Sequence, residues 1–404
     1  MDKKILKFDY PTEKTSIIKV IGVGGGGGNA VTHMYHEGIK DVNFALCNTD
    51  AQALDVSKVP VKLYLGKLGA GGMPEKGRLA AEDNAKEIDN LLRDGTQMVF
   101  ITAGMGGGTG TGAAPVIARI AKSMDILTIG IVTIPFLFEG INKIMQALEG
   151  VKKMEENVDA LLVINNELLR DFYKDNMGTT QKEAFKKADN TLTEAAKSIA
   201  EIITTPPMPG DINLDFADVN SILKNGNVAI INKGLASGPN RLSEAFKSAM
   251  DAHFLNSKNI YNAKKILFNI ICSNNAPLLI HETTEIHNFI AQFSRNIDVI
   301  WGTATDETLD QNIKVTVLAS GFGTNYADDD FLSTLVQNEE IGKIEKAKEL
   351  LEAYYGKGVW EKMGKPIRPN PHIFSLDEMD NDKFIELVIN NPAYNRDSRV
   401  LTQI

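Results

Sequence analysis

Two carboxylates three residues apart, Asp215 and Asp218 in Asn213-Leu214-Asp215-Phe216-Ala217-Asp218, can orient and polarise a water for attack on phosphorus. The same spacing also suits a capping pair at a helix N-terminus, which satisfies backbone N–H groups and does no chemistry. What such a water would attack is suggested by two glycine-dense turns. The first runs from Gly22-Val23-Gly24 to Gly28 and Asn29, after the apolar Ile17, Ile18, Val20 and Ile21. The second, Gly104-Met105-Gly106-Gly107-Gly108-Thr109-Gly110-Thr111-Gly112, follows Met98, Val99, Phe100 and Ile101. Glycine permits a positive φ and lacks the Cβ that would hold backbone away from a ligand. Successive N–H groups can then converge on an anion, helped by the positive end of the next helix dipole. Two such turns in one domain point to a phosphate-rich ligand, most simply a nucleotide. Gly22, Gly24 and Gly27 also satisfy the dinucleotide pattern G-x-G-x-x-G, whereas G-x-x-x-x-G-K-[ST] is absent. Glycine and threonine, not a P-loop lysine, are left to hold the phosphates.

The elements that must position these turns follow from hydrophobic periodicity. Apolar runs at 17–23, 42–48, 98–103, 127–133 and 160–164 alternate with helix candidates at 29–37, 75–93, 113–123 and 141–156. This alternation predicts a Rossmann-like α/β domain, a mostly parallel sheet with ligand loops at the carboxyl ends of its strands. Residues 181–204 read as one long central helix, with Phe185, Ala188, Leu192, Ala195, Ile199 and Ile202 in a single apolar stripe that Pro206, Pro207 and Pro209 terminate. Strand-like runs at 228–232, 265–272, 298–303 and 313–319, with helices at 241–252 and 283–294, form a smaller α/β domain. Beyond Gly323 the chain is polar and acidic, with a charged helix at 338–355 inside a stretch, 325–404, that reads as linker and flexible tail. The expected regions are an extension (1–16), a nucleotide-binding domain (17–180), the central helix and connector (181–210), a second domain (211–323) and a tail (324–404).

The 404 residues carry a formal net charge of −9, which argues against a nucleic-acid partner, since such a surface needs a basic face. No apolar run approaches the roughly 18 residues of a membrane span, and the amino terminus lacks a signal-peptide core, so direct membrane insertion is not expected. Cys47 and Cys272 lie in strand-like runs and read as buried free thiols. The whole reads as cytoplasmic. His33 and His36 share a helix face without further ligands, and no protein metal site is expected.

The 106–112 turn and the strand before it resemble the glycine-rich motif of the tubulin superfamily, most closely that of the FtsZ family of bacterial cell-division GTPases. Asn48-Thr49-Asp50, Gly69-Ala70-Gly71-Gly72-Met73-Pro74, Thr133-Ile134-Pro135-Phe136, Phe138-Glu139-Gly140 and Asn213 to Val219 resemble further segments of that family, in its order. The resemblance spans about 17–322. It implies GTP/GDP as ligand, with Mg²⁺ balancing the charge that backbone donors do not. It further implies that Gly106, Gly107, Gly108, Thr109, Gly110, Thr111 and Gly112 hold the α- and β-phosphates, and that Ala70, Gly71 and Gly72 sense the γ-phosphate. Gly24, Gly25, Gly26, Gly27, Gly28, Asn48, Thr133 and Pro135 would complete the pocket. Asn29 and Asn166 match positions at the base, and Glu139 the ribose contact. Phe185 and Asp189, four residues apart, share a helix face; a carboxylate there accepts from guanine N1–H and N2–H₂, and the ring can stack. Read without the family, they are more readily a core ring and a solvated charge.

The family's acidic loop, here Asn213, Asp215 and Asp218, enters the nucleotide pocket of the next subunit, making 211–323 a GTPase-activating domain. Hydrolysis would then require head-to-tail homo-oligomers, whose contacts generate open filaments; in the family these build the division ring at the division site. The tail would dock membrane-tethering and division proteins, a peptide faintly matched by 391–396. Where the family carries a basic run after its Phe-Glu-Gly, this chain has Ile141-Asn142-Lys143, leaving Lys143 as the cation. The connector 204–211 is longer and richer in proline than the family's. Two rival readings stand beside this one. A dehydrogenase using Gly22, Gly24, Gly27 and Asp50 leaves 104–112 and 211–219 unexplained. A weakly catalytic relative would bind GTP and only regulate assembly.

Overall fold

A computed structural model describes residues 16–39, 41–66, 69–168, 180–205, 208–250, 257–294, 296–322 and 348–359. The chain divides after Tyr355 into two units, and of the second only 356–359 are described.

The apolar runs become strands where both sheet faces are covered. β1 (Ile18–Val23) lies between β2 (Val42–Asn48) and β4 (Met98–Gly104), parallel to both. β3 (Val61–Tyr64) extends one edge, and β5 (Leu127–Ile134) and β6 (Ala160–Asn165) the other, all parallel. The order β3-β2-β1-β4-β5-β6 reverses direction between β1 and β4, the place where such sheets bind ligands. Every residue of β1 and β5 is buried, as expected of strands covered on both faces, and the one charged member, Lys19, pairs with Asp94 at 2.8 Å. β7 (Asn227–Ala236) joins β6 through only Ala160–Asn227 and Leu161–Val228, then pairs antiparallel with β10 (Ile313–Ser320). β8 (Lys265–Cys272) and β9 (Asp298–Thr305) complete this second, mixed group.

Glycine shapes the helices that flank β1 and β4. α1 (Gly24–Glu37) begins on the glycine run itself, and so does α5 (Gly108–Ser123). The expected starts at 29 and 113 were too late, because low helix propensity reads glycine as turn. Close approach explains the residue choice: a Cβ on Gly27 would lie 2.1 Å from the Thr102 carbonyl oxygen, and one on Gly110 2.5 Å from that of Gly104. Within the two runs only Gly24 (φ 72°) and Gly106 (φ 94°) use the left-handed region. α2 (Ala51–Val56) is capped by Asp50. The expected helix 75–93 is broken into α3 (Pro74–Asp83) and α4 (Ala85–Leu92), because the Asn84 side chain donates to the carbonyls of Leu65 and Ala80.

α6 (Ile141–Asn157) returns the chain to β6, and α7 (Gln181–Thr204) is the predicted central helix, residue for residue. Thr180 and Glu183 form a reciprocal capping box at its start. Ala188, Leu192, Ala195, Ile199 and Ile202 are buried in the core, while Phe185 is only half buried. α8 (Phe216–Leu223), α9 (Arg241–Met250) and α10 (Thr283–Ile290) belong to the second group of strands. Within the stretch read as tail, 348–355 form a helix, α11, with Leu351 fully buried. Its Tyr355 hydroxyl donates to the Pro135 carbonyl at 2.6 Å, and the Asn165 side chain donates to the Tyr354 carbonyl at 2.6 Å. The segments 323–347 and 360–404, which include the peptide at 391–396, lie outside the described residues.

Candidate nucleotide site

At the reversal between β1 and β4 the helices α1 and α5 both open without a side-chain cap, leaving first-turn N–H groups for another acceptor. The two glycine segments touch. A Cβ on Gly24 would stand 2.9 Å from the Gly110 nitrogen, and one on Gly26 3.4 Å from the Gly104 Cα. The third segment, Gly69 to Met73, lies over the start of α5: a Cβ on Gly108 would meet the Ala70 Cβ at 2.7 Å and the Met73 nitrogen at 2.9 Å. Gly69, Gly71 and Gly72 all have positive φ, which turns this loop tightly at the helix end. Gly24–Gly28, Ala70–Gly72 and Gly106–Gly112 therefore form one backbone-lined concavity. Gly24, Gly25, Gly28, Asn29 and Asn48 line a shared cleft beside it.

The threonines brace the cradle from inside. Thr111 Oγ1 accepts from Gly106 N at 2.9 Å, and Thr109 Oγ1 meets Thr49 Oγ1 at 2.6 Å, all buried. The Gly106 N–H is thus engaged within the turn, and the donors open to an anion begin after it. Thr133 supplies its carbonyl to Met105 N, and the Pro135 ring stands beside Gly106. Lys143, also beside Gly106, pairs with Glu139 at 2.6 Å. The other Glu139 oxygen accepts from Phe136 N at 2.9 Å, so this carboxylate holds the 136–140 turn as well as Lys143.

Two of the base-recognition candidates, Phe185 and Asp189, lie on the first turns of α7. Phe185 meets Phe136 edge-on with ring centroids 5.2 Å apart, and Phe136 stacks on Phe138 at 5.0 Å. One turn along, burial pushes the Asp189 carboxyl up to about 7, with no counter-charge among the causes. Asn166 is buried with its Oδ1 lacking a partner. A half-buried aromatic ring, a desolvated carboxylate and an orphaned amide oxygen suit a ligand that brings a flat ring and N–H donors.

Asn213, Asp215 and Asp218 lie elsewhere. Asp215 Oδ1 accepts from Ala217 N (2.7 Å) and Asp218 N (3.2 Å), and Asp218 Oδ2 accepts from Asp215 N (2.9 Å). This is a capping box on α8, the non-chemical use that the spacing allows, yet Asn213 and Asp215 remain exposed. The loop is anchored by Leu214, packed against Gly302, and by two bonds between Ile212 and Thr303. It follows the far end of α7, whose 24 residues span roughly 36 Å. Beyond α8, Lys224 pairs with Asp125 (2.9 Å) and Asp159 (3.9 Å) at the amino ends of β5 and β6, the edge opposite the cradles. Asp50, the acid a dehydrogenase would place on a ribose, is the α2 cap instead.

Sequence spacing did not single out Gln146, whose Nε2 reaches the carbonyls of Gly106 (2.9 Å), Gly72 (3.1 Å) and Gly107 (3.4 Å). Its place three residues after Lys143 on α6 is the only hint the chain offers.

Residues 17–174 match the GTPase domain of the Tubulin/FtsZ family, and residues 227–323 match the C-terminal domain of the FtsZ family. The cell division protein FtsZ of Porphyromonas gingivalis is 48% identical over 421 residues, covering 100% of this chain and 91% of that protein. An empty FtsZ dimer from M. jannaschii aligns at TM-score 0.67 and 36% identity, over 76% of this chain and 88% of its own. A GTPγS-bound CetZ2 protofilament from Haloferax volcanii aligns at TM-score 0.64 and 18% identity, over 83% and 99%, a likeness of fold. Fold and cradle together define a GTPase of the tubulin-like class. The chain belongs to the FtsZ family.

Proposed function

We propose that the protein binds and hydrolyses GTP and polymerises head-to-tail into the filaments of a cytokinetic ring, each GTP being cleaved at the junction of two copies. The observation that carries this reading is the placement of the acidic loop. Its carboxylates, Asp215 exposed and Asp218 partly so, follow the opposite end of a helix roughly 36 Å long from the phosphate cradles, too far to serve their own nucleotide. A second copy stacked on the cradle edge would bring its own loop to that nucleotide, a heterologous contact that does not close.

In this reading Gly107 to Gly112 and Gly24 to Gly28 hold the α- and β-phosphates through backbone N–H groups, and Ala70 to Gly72 meet the γ-phosphate. Phe185, Asp189, Asn166 and Asn29 take the guanine, and Glu139 the ribose. Lys143, released from Glu139, neutralises phosphate charge. Asp215, with Asn213 and Asp218, orients the attacking water in the neighbouring copy. Among the described residues no group of three or more His, Cys, Asp or Glu is placed to hold a metal. Magnesium would be carried by phosphate oxygens and water, as is usual for this ion, and would neutralise charge on the leaving group. No described helix is long and apolar enough to cross a membrane. Location at the cytoplasmic division site, through tail contacts with tethering proteins, is part of the same proposal.

The test is phosphate release against protein concentration at saturating GTP and magnesium. Specific activity is expected to rise cooperatively above a threshold, together with sedimentable polymer. A specific activity independent of dilution would sink the two-copy site.

The base contact makes a separate prediction. Guanine N1–H and N2–H₂ need an ionised acceptor, and Asp189 holds its proton up to about pH 7, so binding must expel that proton at lower pH. Affinity should therefore be flat above neutrality and about tenfold weaker at pH 6 than at pH 8. Fluorescent-GTP titrations across this range check it, and Asp189→Asn should bind weakly with the pH step gone.

A further inference from the structure

The Gln146 amide touches two of the three cradle segments at once. Its Nε2 lies 2.9 Å from Gly106 O and 3.4 Å from Gly107 O on one segment, and 3.1 Å from Gly72 O on another. All three neighbours are acceptors, so the atom facing them is the NH₂ nitrogen. A peptide unit is planar, with its C=O and N–H pointing in opposite directions. Holding the Gly106 and Gly107 oxygens toward α6 therefore turns the N–H groups of Gly107 and Gly108 the other way, into the concavity at the start of α5. These peptides lack an intrinsic preference that would keep them so, since Gly106 (φ 94°) and Gly72 (φ 75°) already sit in a region that glycine enters and leaves freely. A flipped peptide would present a carbonyl oxygen to the anion in place of a donor.

We propose that Gln146 is a positioning residue for the triphosphate: its amide latches three glycine carbonyls away from the ligand, so that the adjoining N–H groups face the phosphates and the 69–73 loop stays seated on the 106–112 segment. This rests on the reading of these segments as the phosphate cradle.

The deciding variant is Gln146→Met, which keeps shape and charge and removes the donor, with Gln146→Lys as the variant that keeps donors. Binding of GTP and of guanosine, which lacks phosphates, is measured for each full-length protein alongside its melting temperature. Losing two hydrogen bonds should lower GTP affinity about ten- to a hundredfold in Gln146→Met, with guanosine affinity unchanged. Gln146→Lys should stay within a few fold of the parent for both ligands. Parental GTP binding by Gln146→Met overturns the latch. An equal fall for GTP and guanosine overturns it too, in favour of a general packing role. A parent that binds GTP no more tightly than guanosine overturns the cradle itself, and the latch with it.

Discussion

Asp215→Asn should lower GTP turnover by about 10²–10⁴-fold, the range for removing a group that positions or polarises an attacking water, with GTP affinity unchanged. The choice of asparagine follows from the structure. Asp215 caps α8 through Ala217 N and Asp218 N, so Asp215→Ala would lose about 1 kcal/mol of helix stability along with the charge. Asparagine keeps an acceptor for both N–H groups and removes only the ionised carboxylate. Single-turnover phosphate release and equilibrium nucleotide binding separate the two effects. Parental turnover by Asp215→Asn would place catalysis on other residues. Mixing adds a sharper result. Asp215→Asn copies bring an intact pocket, and Asp189→Ala copies bring an intact acidic loop. Each is inactive alone, but a junction between them completes one site, so equimolar mixtures should regain hydrolysis.

The second large effect concerns backbone packing. Gly112→Ala should unfold the amino-terminal domain or expel α3 from it, because the new Cβ would lie 1.9 Å from the Pro74 carbonyl oxygen and 2.7 Å from Arg78 N. Overpacking costs about 1–3 kcal/mol where side chains can yield, and these atoms are backbone, so the upper end or more is expected. A Cβ on Gly77 would likewise lie 2.5 Å from the Gly108 carbonyl oxygen, so α3 and α5 approach with glycine set against backbone on both sides. Since α3 begins where the 69–73 loop ends, moving it removes that loop from the cradle, and GTP binding should fall with the melting temperature. Gly28→Ala is the contrast. Nothing lies within 4 Å of its Cβ position, and alanine favours a helix interior over glycine by up to about 1 kcal/mol. That variant should melt no lower than the parent, and any loss of GTP affinity would report a contact with ligand. Equal melting temperatures for Gly112→Ala and the parent would contradict the packing argument.

What could be read in the chain beforehand depended on which force set each element. α7 was legible end to end because its apolar stripe, capping box and following prolines agree. β2 and β8 were equally plain, as predominantly apolar runs between polar flanks. The first turns of α1 and α5 were not, since glycine there answers to backbone atoms of other strands and helices, which no local propensity records. Asn84 broke a helix through two carbonyls, one of them on the distant Leu65. α11 falls inside the helix expected at 338–355, but its docking was not legible, because Leu351 is buried and Tyr355 and Tyr354 bond Pro135 and Asn165, which lie far earlier in the chain. Of the candidate site, the two long glycine turns were visible by spacing, whereas the 69–73 segment and the Phe185–Asp189 pair came from the family resemblance, and the two uses of Asp215 and Asp218 could both be foreseen. Gln146 was invisible, because a side chain that serves carbonyls leaves no pattern in the sequence.

The length of α7 has an arithmetical consequence. If pocket and acid act from its two ends as proposed, a row of n molecules encloses n − 1 complete hydrolytic centres. The terminal molecule whose pocket faces solvent would then keep its triphosphate intact for as long as no newcomer arrives, so growth at that end would arm the bond it has just buried.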